Sequence, residues 1–215
     1  MTTPASLADD IRAHIERHIG PIHQVFNDWE DQPFPISVQH VEPSEGRPIH
    51  TLITIGISAR EMSVPEGSES PRSIELMITL PESWKIEADL TQQEQWPIRL
   101  LQSLARRAIS TKGWIGWGDL IPNGEPPQPY APSTKLCAAL IVPSLLVPTD
   151  FYQLTVQGKN IAFFAVVPLY AEEWQLGINN GNKALIERII DRDVNDVVVP
   201  NRKNVAKRRW LGLGR

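Results

Sequence analysis

One region decides how this chain folds, and it reads SIELMITLPESW (73–84), WPIRLLQSLARRA (96–108), GWIGWGDLIPNGEPPQPYAP (113–132) and KLCAALIVPS (135–144). Apolar residues occupy every second position from Ile74 to Leu80, which predicts a strand with one strongly apolar face. The next segment predicts a helix that begins at Pro97, because proline suits the first helical position. An aromatic, proline-rich loop and a strand over Leu136–Val142 follow.

Two continuous apolar runs predict the centre of a sheet. Leu136–Val142 and Ile161–Leu169 lack the polar alternation of a half-exposed strand. Such runs suit strands that are covered on both faces. Cys137 lies in the first run, and we interpret it as a small buried apolar residue.

The remaining elements complete the predicted fold. Ser6 caps an amphipathic helix built on Leu7, Ile11, Ile15 and Ile19. Further strands are predicted over 35–41, 49–58 and 197–200, a short helix over 172–176, and a helix capped by Asn182 whose Leu185, Ile186, Ile189 and Ile190 face inward. Strands cluster between helices instead of alternating with them, which favours α+β: a single compact domain over 1–215 with a mixed, mostly antiparallel sheet and helices packed on it.

Composition narrows the class of protein. The 215 residues carry a net charge of −4, which suits nucleic acid poorly, and they include a single cysteine, which is typical of a reducing compartment. The start of the chain has no apolar signal core, and no apolar run reaches the roughly 20 residues that a membrane span needs. We therefore expect a cytoplasmic protein that binds neither membrane nor nucleic acid. The basic tail, 201–215, is interpreted as a solvated end, with nucleic-acid binding as the alternative.

Catalytic and cofactor motifs are lacking. The chain has no G-x-S-x-G nucleophile turn and no phosphate-binding loop, so we expect neither an enzyme nor a cofactor. His14 and His18 are four residues apart, but the sequence is HIERH and not the zinc motif HExxH, so we expect solvated histidines and no metal. An enzyme that uses a carboxylate cluster stays open as an alternative, and its candidate acids are Glu75 with Glu82, Glu172 with Glu173, and Asp191, Asp193 and Asp196.

The loop between the predicted helix and the following strand is the candidate for function. It presents Trp114, Trp117 and Tyr130 in a frame of glycine and proline, with Asp119 and Asn123 as its polar groups. Aromatic side chains are enriched at binding hot spots. The alternative for both tryptophans is that they cap the core, and for Asp119 that it stabilises a turn.

These segments together resemble a known family. The order SIELMITLPESW, QWPIRLLQSLAR, WIGWGDLIPNG, LCAALIVP, VVPLYAEE and DVNDVVVPNRKNV, with HTLITIGISAREM before them, resembles the Suppressor of fused (SUFU) domain in its bacterial form over about 49–205. At Gly118–Asp119 many bacterial members have Gly-His, and the animal proteins have Gly-Asp-His in the comparable loop. This chain keeps the acid without the histidine, so no role that rests on that histidine carries over.

The resemblance implies a protein-binding function without catalysis. The animal protein holds Gli-type transcription factors in the cytoplasm and grips an extended peptide as an added strand, and bacterial members include immunity proteins that neutralise polymorphic toxins. The resemblance therefore implies a protein or extended-peptide partner, with a toxin as the specific case. We predict that the partner surface comprises Trp114, Trp117, Asp119, Asn123 and Tyr130, with Glu75 on the neighbouring strand.

Overall fold

The chain forms an eight-stranded sheet with helices on both faces. The structure is a computed structural model, and it describes residues 6–27, 35–86, 94–110 and 113–207. The helices are α1 (Leu7–His18), α2 (Trp96–Ile109), α3 (Ala171–Asn180) and α4 (Asn182–Ile190). The strands are β1 (Ile22–Asn27), β2 (Ser37–Val41), β3 (Ile49–Ile55), β4 (Ser73–Pro81), β5 (Leu120–Pro122), β6 (Leu136–Val142), β7 (Gln153–Val156) and β8 (Lys159–Tyr170).

The sheet is mixed and mostly antiparallel, as predicted. Its order is β1-β2-β3-β4-β8-β6-β5, and β7 also pairs with β8. The β4–β8 pair is parallel, whereas the other strand pairs run antiparallel. The parallel pair therefore joins two antiparallel parts of the sheet, and the α+β prediction is confirmed.

Strand β8 shows how the two faces of the sheet are covered. Its Phe163 and Ala165 pack with Ile11 and Ile15 of α1. Its Val167 and Leu169 point to the same face, by the two-residue period of a strand, and pack with α4. Helix α2 packs against the opposite face. Both predicted central strands are therefore covered on both sides.

Several local predictions are confirmed. Ser6 caps α1, because its hydroxyl accepts from the Asp9 N–H at 3.2 Å while the Asp9 carboxylate accepts from the Ser6 N–H. Helix α2 begins one residue before Pro97. Cys137 is a buried free thiol. None of the helices in the described part of the chain is both long and apolar enough to cross a membrane.

Other local predictions are wrong for identifiable reasons. Strand β3 ends at Ile55 and not at Ser58, because Gly56 adopts a φ of +131°, which favours glycine, and a turn follows. The short helix predicted over 172–176 runs from Ala171 to Asn180. Asn182 caps nothing, because its side chain donates to the Gly118 carbonyl oxygen. Ile190, predicted to face inward, is 58% exposed.

Three strands escaped prediction, and one predicted strand is a single bridge. Strands β1, β5 and β7 have few apolar residues or are very short, so the two-residue period is weak in them. Residues 197–200 form one parallel bridge, in which Val197 lies opposite Thr79.

The prediction of a solvated His14 is also wrong. His14 is buried, with its Nε2 3.1 Å from the Phe151 carbonyl oxygen.

Candidate functional site

The loop after α2 holds one tryptophan out into solvent. The Gly116 N–H donates to the Asp119 carboxylate at 2.9 Å, which closes a tight turn around Trp117. The Gly118 N–H donates to the Ile141 carbonyl oxygen at 2.7 Å, and the Asn182 amide donates to the Gly118 carbonyl oxygen at 3.1 Å. The turn is thereby fixed to both β6 and α4, and Trp117 at its apex is 65% exposed.

Trp117 lies at the rim of an apolar groove of about 250 Å³. The groove is lined by Trp117, Leu140, Val142, Pro143, Leu145, Val167, Ile186, Ile189, Ile190, Val194, Asn195 and Asp196. Among the described residues, six large apolar side chains are exposed, and three of these six, Trp117, Leu145 and Ile190, belong to the groove. Exposed apolar side chains scattered singly are normal, but a cluster that shares one concavity is typical of a binding surface. We call these lining residues the Trp117 groove.

A buried carboxylate holds the far rim of the Trp117 groove. Asp196 is 4% exposed, and its two oxygens accept from the Ser144 hydroxyl and from the Leu145 N–H, the latter at 3.2 Å. The Tyr152 hydroxyl donates to the Ser144 carbonyl oxygen at 2.6 Å and fixes the same segment from the other side. The exposed Leu145 side chain therefore projects from an anchored backbone.

Asp119 stabilises its own turn. Its carboxylate is half-buried and accepts from the Gly116 N–H, and its carbonyl oxygen accepts from the Ile141 N–H at 3.1 Å. Burial raises the pKa of Asp119, while the Gly116 hydrogen bond and the Arg107 charge act in the opposite direction. Asp119 positions Trp117, which is the turn-stabilising alternative predicted from the sequence.

Trp114, Asn123 and Tyr130 lie apart from the Trp117 groove. Trp114 is partly buried against the core beneath α2. Tyr130 stacks on Trp96 of α2 with ring centroids 5.4 Å apart, and burial raises the pKa of its hydroxyl. The Asn123 amide donates to the Gln128 carbonyl oxygen at 2.7 Å, and Asn123 and Tyr130 line a separate depression against α2. The two ends of the loop thus lie against α2, and the turn at Trp117 between them faces α4.

Glu75 cannot form part of an exposed surface. It is fully buried, and its carboxylate accepts from the Thr54 hydroxyl at 2.6 Å, the Ser58 hydroxyl at 2.6 Å, the Gly56 N–H at 3.0 Å and the Ser58 N–H at 3.1 Å. Burial raises the pKa of Glu75, and these hydrogen bonds oppose the rise. Its predicted place in the partner surface is wrong, because its carboxylate holds the turn after β3.

Of the other candidate carboxylates, Glu172, Glu173 and Asp196 are engaged in the fold, whereas Glu82, Asp191 and Asp193 are exposed. Glu173 is buried and forms a two-pronged ion pair with Arg202, with both nitrogen–oxygen distances 2.6 Å. Glu75 lies within β4, whereas Glu82 follows the strand, seven residues further along the chain. Among the described residues, no group of three or more histidine, cysteine, aspartate or glutamate side chains could hold a metal ion.

The described part of the basic tail packs on the protein. Arg202 pairs with the buried Glu173, and Lys207 lies 3.6 Å from the Glu172 carboxylate. The prediction of a solvated end from residue 201 is therefore wrong up to residue 207. Residues 208–215 of the predicted tail lie outside the described residues. These ion pairs weaken the argument for nucleic-acid binding by the tail, because Arg202 and Lys207 already face carboxylates of the protein.

The family model described as Suppressor of fused protein (SUFU) matches residues 32–203. The chain belongs to the Suppressor of fused family. This match covers most of the chain and confirms the resemblance found in the sequence. No curated protein matches the chain.

Solved SUFU structures share the fold. A SUFU homologue from Neisseria gonorrhoeae has a TM-score of 0.68 at 15% identity, covering 94% of this chain and 98% of the homologue. A chain of the Sufu–Fu complex has a TM-score of 0.63 at 16% identity, with 93% and 90% covered. Drosophila Suppressor of Fused has a TM-score of 0.56 at 14% identity, and this chain covers 44% of it. Identities this low show the common fold alone.

Of the Trp117 groove, sequence reasoning assigned only Trp117 to a partner surface; it named Asp196 as a candidate acid and placed Ile186, Ile189 and Ile190 in the core. Leu145 belongs to the run PSLLVP, which was not assigned to any element. Ile190 was assigned to the core because it continues the apolar stripe of α4. The apolar stripe of α4 has more residues than the sheet beneath it can cover, so one of them is left exposed. The sequence alone does not show which one it is.

Proposed function

We propose that this SUFU-family protein is a protein-binding module and that the Trp117 groove receives an apolar segment of its partner. The observation that carries the proposal is the exposure of Trp117, Leu145 and Ile190 around one apolar concavity. The family supports it, because a SUFU chain of the same fold was solved in the Sufu–Fu complex. Tryptophan is enriched among the hot-spot residues of protein interfaces.

The chemistry of the groove determines the kind of partner. A volume of about 250 Å³ accommodates a few apolar side chains and is small for a cofactor. Asp196 is the one charged residue in the lining, and its oxygens already accept hydrogen bonds from Ser144 and Leu145. Recognition therefore depends on burial of apolar surface, and we expect affinity to change less than about twofold between 0.1 and 0.5 M salt.

The more specific form of the proposal is an immunity protein that neutralises a toxin in the cytoplasm. It rests on the resemblance to bacterial SUFU members and on the lone, buried cysteine, which suits a reducing compartment. A toxin encoded by a neighbouring gene is the partner that this form requires. The immunity function is contradicted if the products of neighbouring genes do not bind the protein and stay toxic when the protein is co-expressed. The general binding function is tested separately.

The test of the general function is purification of the tagged protein with its bound partner from cells that produce it natively. The proposal predicts a protein that stays bound in 0.5 M salt and after nuclease treatment, and that is lost from the Trp117→Ala variant. Ile178→Ser is the matched control, because Ile178 is 54% exposed on α3 but does not line the groove. Equal retention by wild type and Trp117→Ala contradicts the proposed surface, and release by nuclease or salt contradicts the proposed class of partner.

A further inference from the structure

Three histidines lie side by side on three neighbouring strands. His23 is on β1, His40 on β2 and His50 on β3. His40 Nε2 is 2.9 Å from His50 Nδ1, and His50 Nε2 is 3.2 Å from the Glu82 carbonyl oxygen. The rings of His23 and His40 meet edge to face with centroids 6.0 Å apart. His40 and His50 are 1% and 8% exposed.

The hydrogen bonds fix the tautomers of the buried pair. A carbonyl oxygen can only accept, so His50 carries its proton on Nε2 and leaves Nδ1 as an acceptor. His40 must then donate from Nε2, and its own Nδ1 carries a lone pair. That Nδ1 is buried and has no hydrogen-bond partner. The chain of donors runs in one direction, from His40 through His50 to Glu82.

The hydrogen-bonded pair has no place for an additional proton on either ring. A proton added to His40 Nδ1 creates a buried cationic N–H without an acceptor. A proton added to His50 Nδ1 would face the N–H at His40 Nε2, so two donors would point at each other. His40 can relieve this clash only by moving its own proton to Nδ1, and an N–H at Nδ1 has no acceptor. Either way, a buried donor is left unpaired next to a charge, which is strongly unfavourable.

Among the described residues that act on the charge of His40, no carboxylate compensates for an added proton. Strand β1 contributes His23, whose Nδ1 is 3.4 Å from the exposed Glu42 carboxylate, and Phe26, whose ring lies 6.5 Å from that of His40. The segment after β4 contributes the Glu82 carbonyl oxygen, and α2 contributes the neutral Gln102, whose amide reaches the Asn27 carbonyl oxygen. A charge on His23 or His50 further opposes a charge on His40.

We propose that the His40–His50 pair is an acid-sensitive latch that keeps edge strand β1 on the sheet near neutral pH and releases it on acidification. The rings of His23 and Phe26 on β1 stand against His40, so movement of β1 exposes His40 to water. Strand β1 pairs with β2 alone among the described strands, so it is held by one row of backbone hydrogen bonds. The release leaves the edge of β2 open to pairing with another strand.

The direction of the pH dependence follows from the geometry. Burial lowers the pKa of His40 to about 4 from an ordinary value of 6.5, and the neighbouring histidines add to the shift. The open state takes up a proton below pH 6.5, whereas the closed state resists it down to about 4. The latch is therefore fully stable above pH 6.5 and weakens as pH falls from 6.5 towards 4.

Amide hydrogen exchange of the whole chain tests the latch. After correction for intrinsic exchange, we expect protection of the β1 amides to fall about tenfold or more between pH 7 and pH 4.5, while amides of β6 stay protected. In His40→Gln the amide group can still donate to His50 but cannot titrate, so β1 protection should change less than about twofold. The matched control His14→Gln removes another buried histidine, on α1, and should leave the wild-type response of β1 intact.

The proposal is overturned if His40→Gln shows the wild-type pH response or if β1 and β6 lose protection together. Nitrogen chemical shifts of the histidines in the wild-type protein provide a second measurement that does not depend on the variant folding. They should show His40 protonated at Nε2 and neutral well below pH 6. Titration of His40 near pH 6.5 with β1 still protected contradicts the latch.

Discussion

At the scale of single residues, polar groups that look suited to function mostly hold the fold. Asp119, Asn123 and Glu75 were all predicted at a partner surface, yet each carboxylate or amide bonds to nearby backbone or hydroxyl groups. Sequence reasoning identifies which residues are polar, but not whether a turn returns to satisfy them. For Asp119 and Asn123 the partners lie three and five residues away in the same loop, whereas for Glu75 they lie 17 to 21 residues away on another segment.

Glu75 provides the first prediction. Thr54 donates its hydroxyl hydrogen to Glu75 and also accepts from the Leu76 N–H at 2.8 Å, so it needs an acceptor at the Glu75 position. Glu75→Gln places an N–H₂ group among four donors and should lower the free energy of unfolding by about 1–3 kcal/mol. Urea denaturation measures the loss. Glu82→Gln, at an exposed position just after the same strand, is the control, and equal effects of the two changes would contradict the role given to Glu75.

The ion pair of Glu173 with Arg202 provides the second prediction. Arg202→Met leaves a buried carboxylate that still accepts from the Tyr170 and Val205 N–H groups but has lost its cation. We expect a loss of about 3 kcal/mol or more in the free energy of unfolding. Lys207→Met breaks only the exposed pair with Glu172 and should cost less than about 1 kcal/mol. Comparable losses in the two variants would show that Arg202 is not a buried anchor.

At the scale of elements, the sequence predicted what periodicity and length can reveal. Helices α1 and α2 and strands β4, β6 and β8 were predicted because their apolar patterns are long and regular. Strands β1, β5 and β7 were missed because pairing with neighbours, and not their own pattern, makes them strands. The order of strands in the sheet did not follow from any local pattern.

The turn around Trp117 is an element whose position depends on a distant helix. The Asn182 amide on α4 donates to the Gly118 carbonyl oxygen, and Gly118 has a φ of +84° with no room for a Cβ beside that amide. Asn182→Ala should lower the free energy of unfolding by about 0.5–1.5 kcal/mol and speed amide exchange at Gly118. Lys183→Ala, on the exposed side of the same helix turn, is the control. Unchanged exchange at Gly118 in Asn182→Ala would show that α4 does not position the turn.

At the scale of the whole molecule, the segment from Asp196 to Val205 joins parts that lie far apart in the sequence. Asp196 accepts from Ser144 and Leu145, the Val198 N–H donates to the Thr79 carbonyl oxygen at 2.8 Å, and the Arg202 guanidinium reaches Glu173. One end of this segment is also a wall of the Trp117 groove. The candidate site is thus assembled from β6, β8 and α4, together with the loop after α2 and the segments after β6 and α4, which explains why sequence patterns assigned only Trp117 to a partner surface.

Membership of the family accounts for the fold, and the exposed Trp117 groove of this chain is the candidate binding site. Relatives with 14–16% identity keep the same architecture, and likeness at this level shows the fold alone. The binding surface must therefore be inferred from this chain's own exposed side chains. The central claim is that the partner's apolar segment buries Trp117 and Ile190.

Calorimetric titration of the purified partner protein against matched variants tests that claim most directly. Trp117→Ala and Ile190→Ser should each weaken binding by about thirtyfold or more, the effect of losing a hot spot of about 2 kcal/mol. Ile178→Ser, an equally exposed change outside the groove, should leave the Kd within about twofold of wild type. The account is contradicted if all three variants bind the partner as tightly as the wild-type protein does.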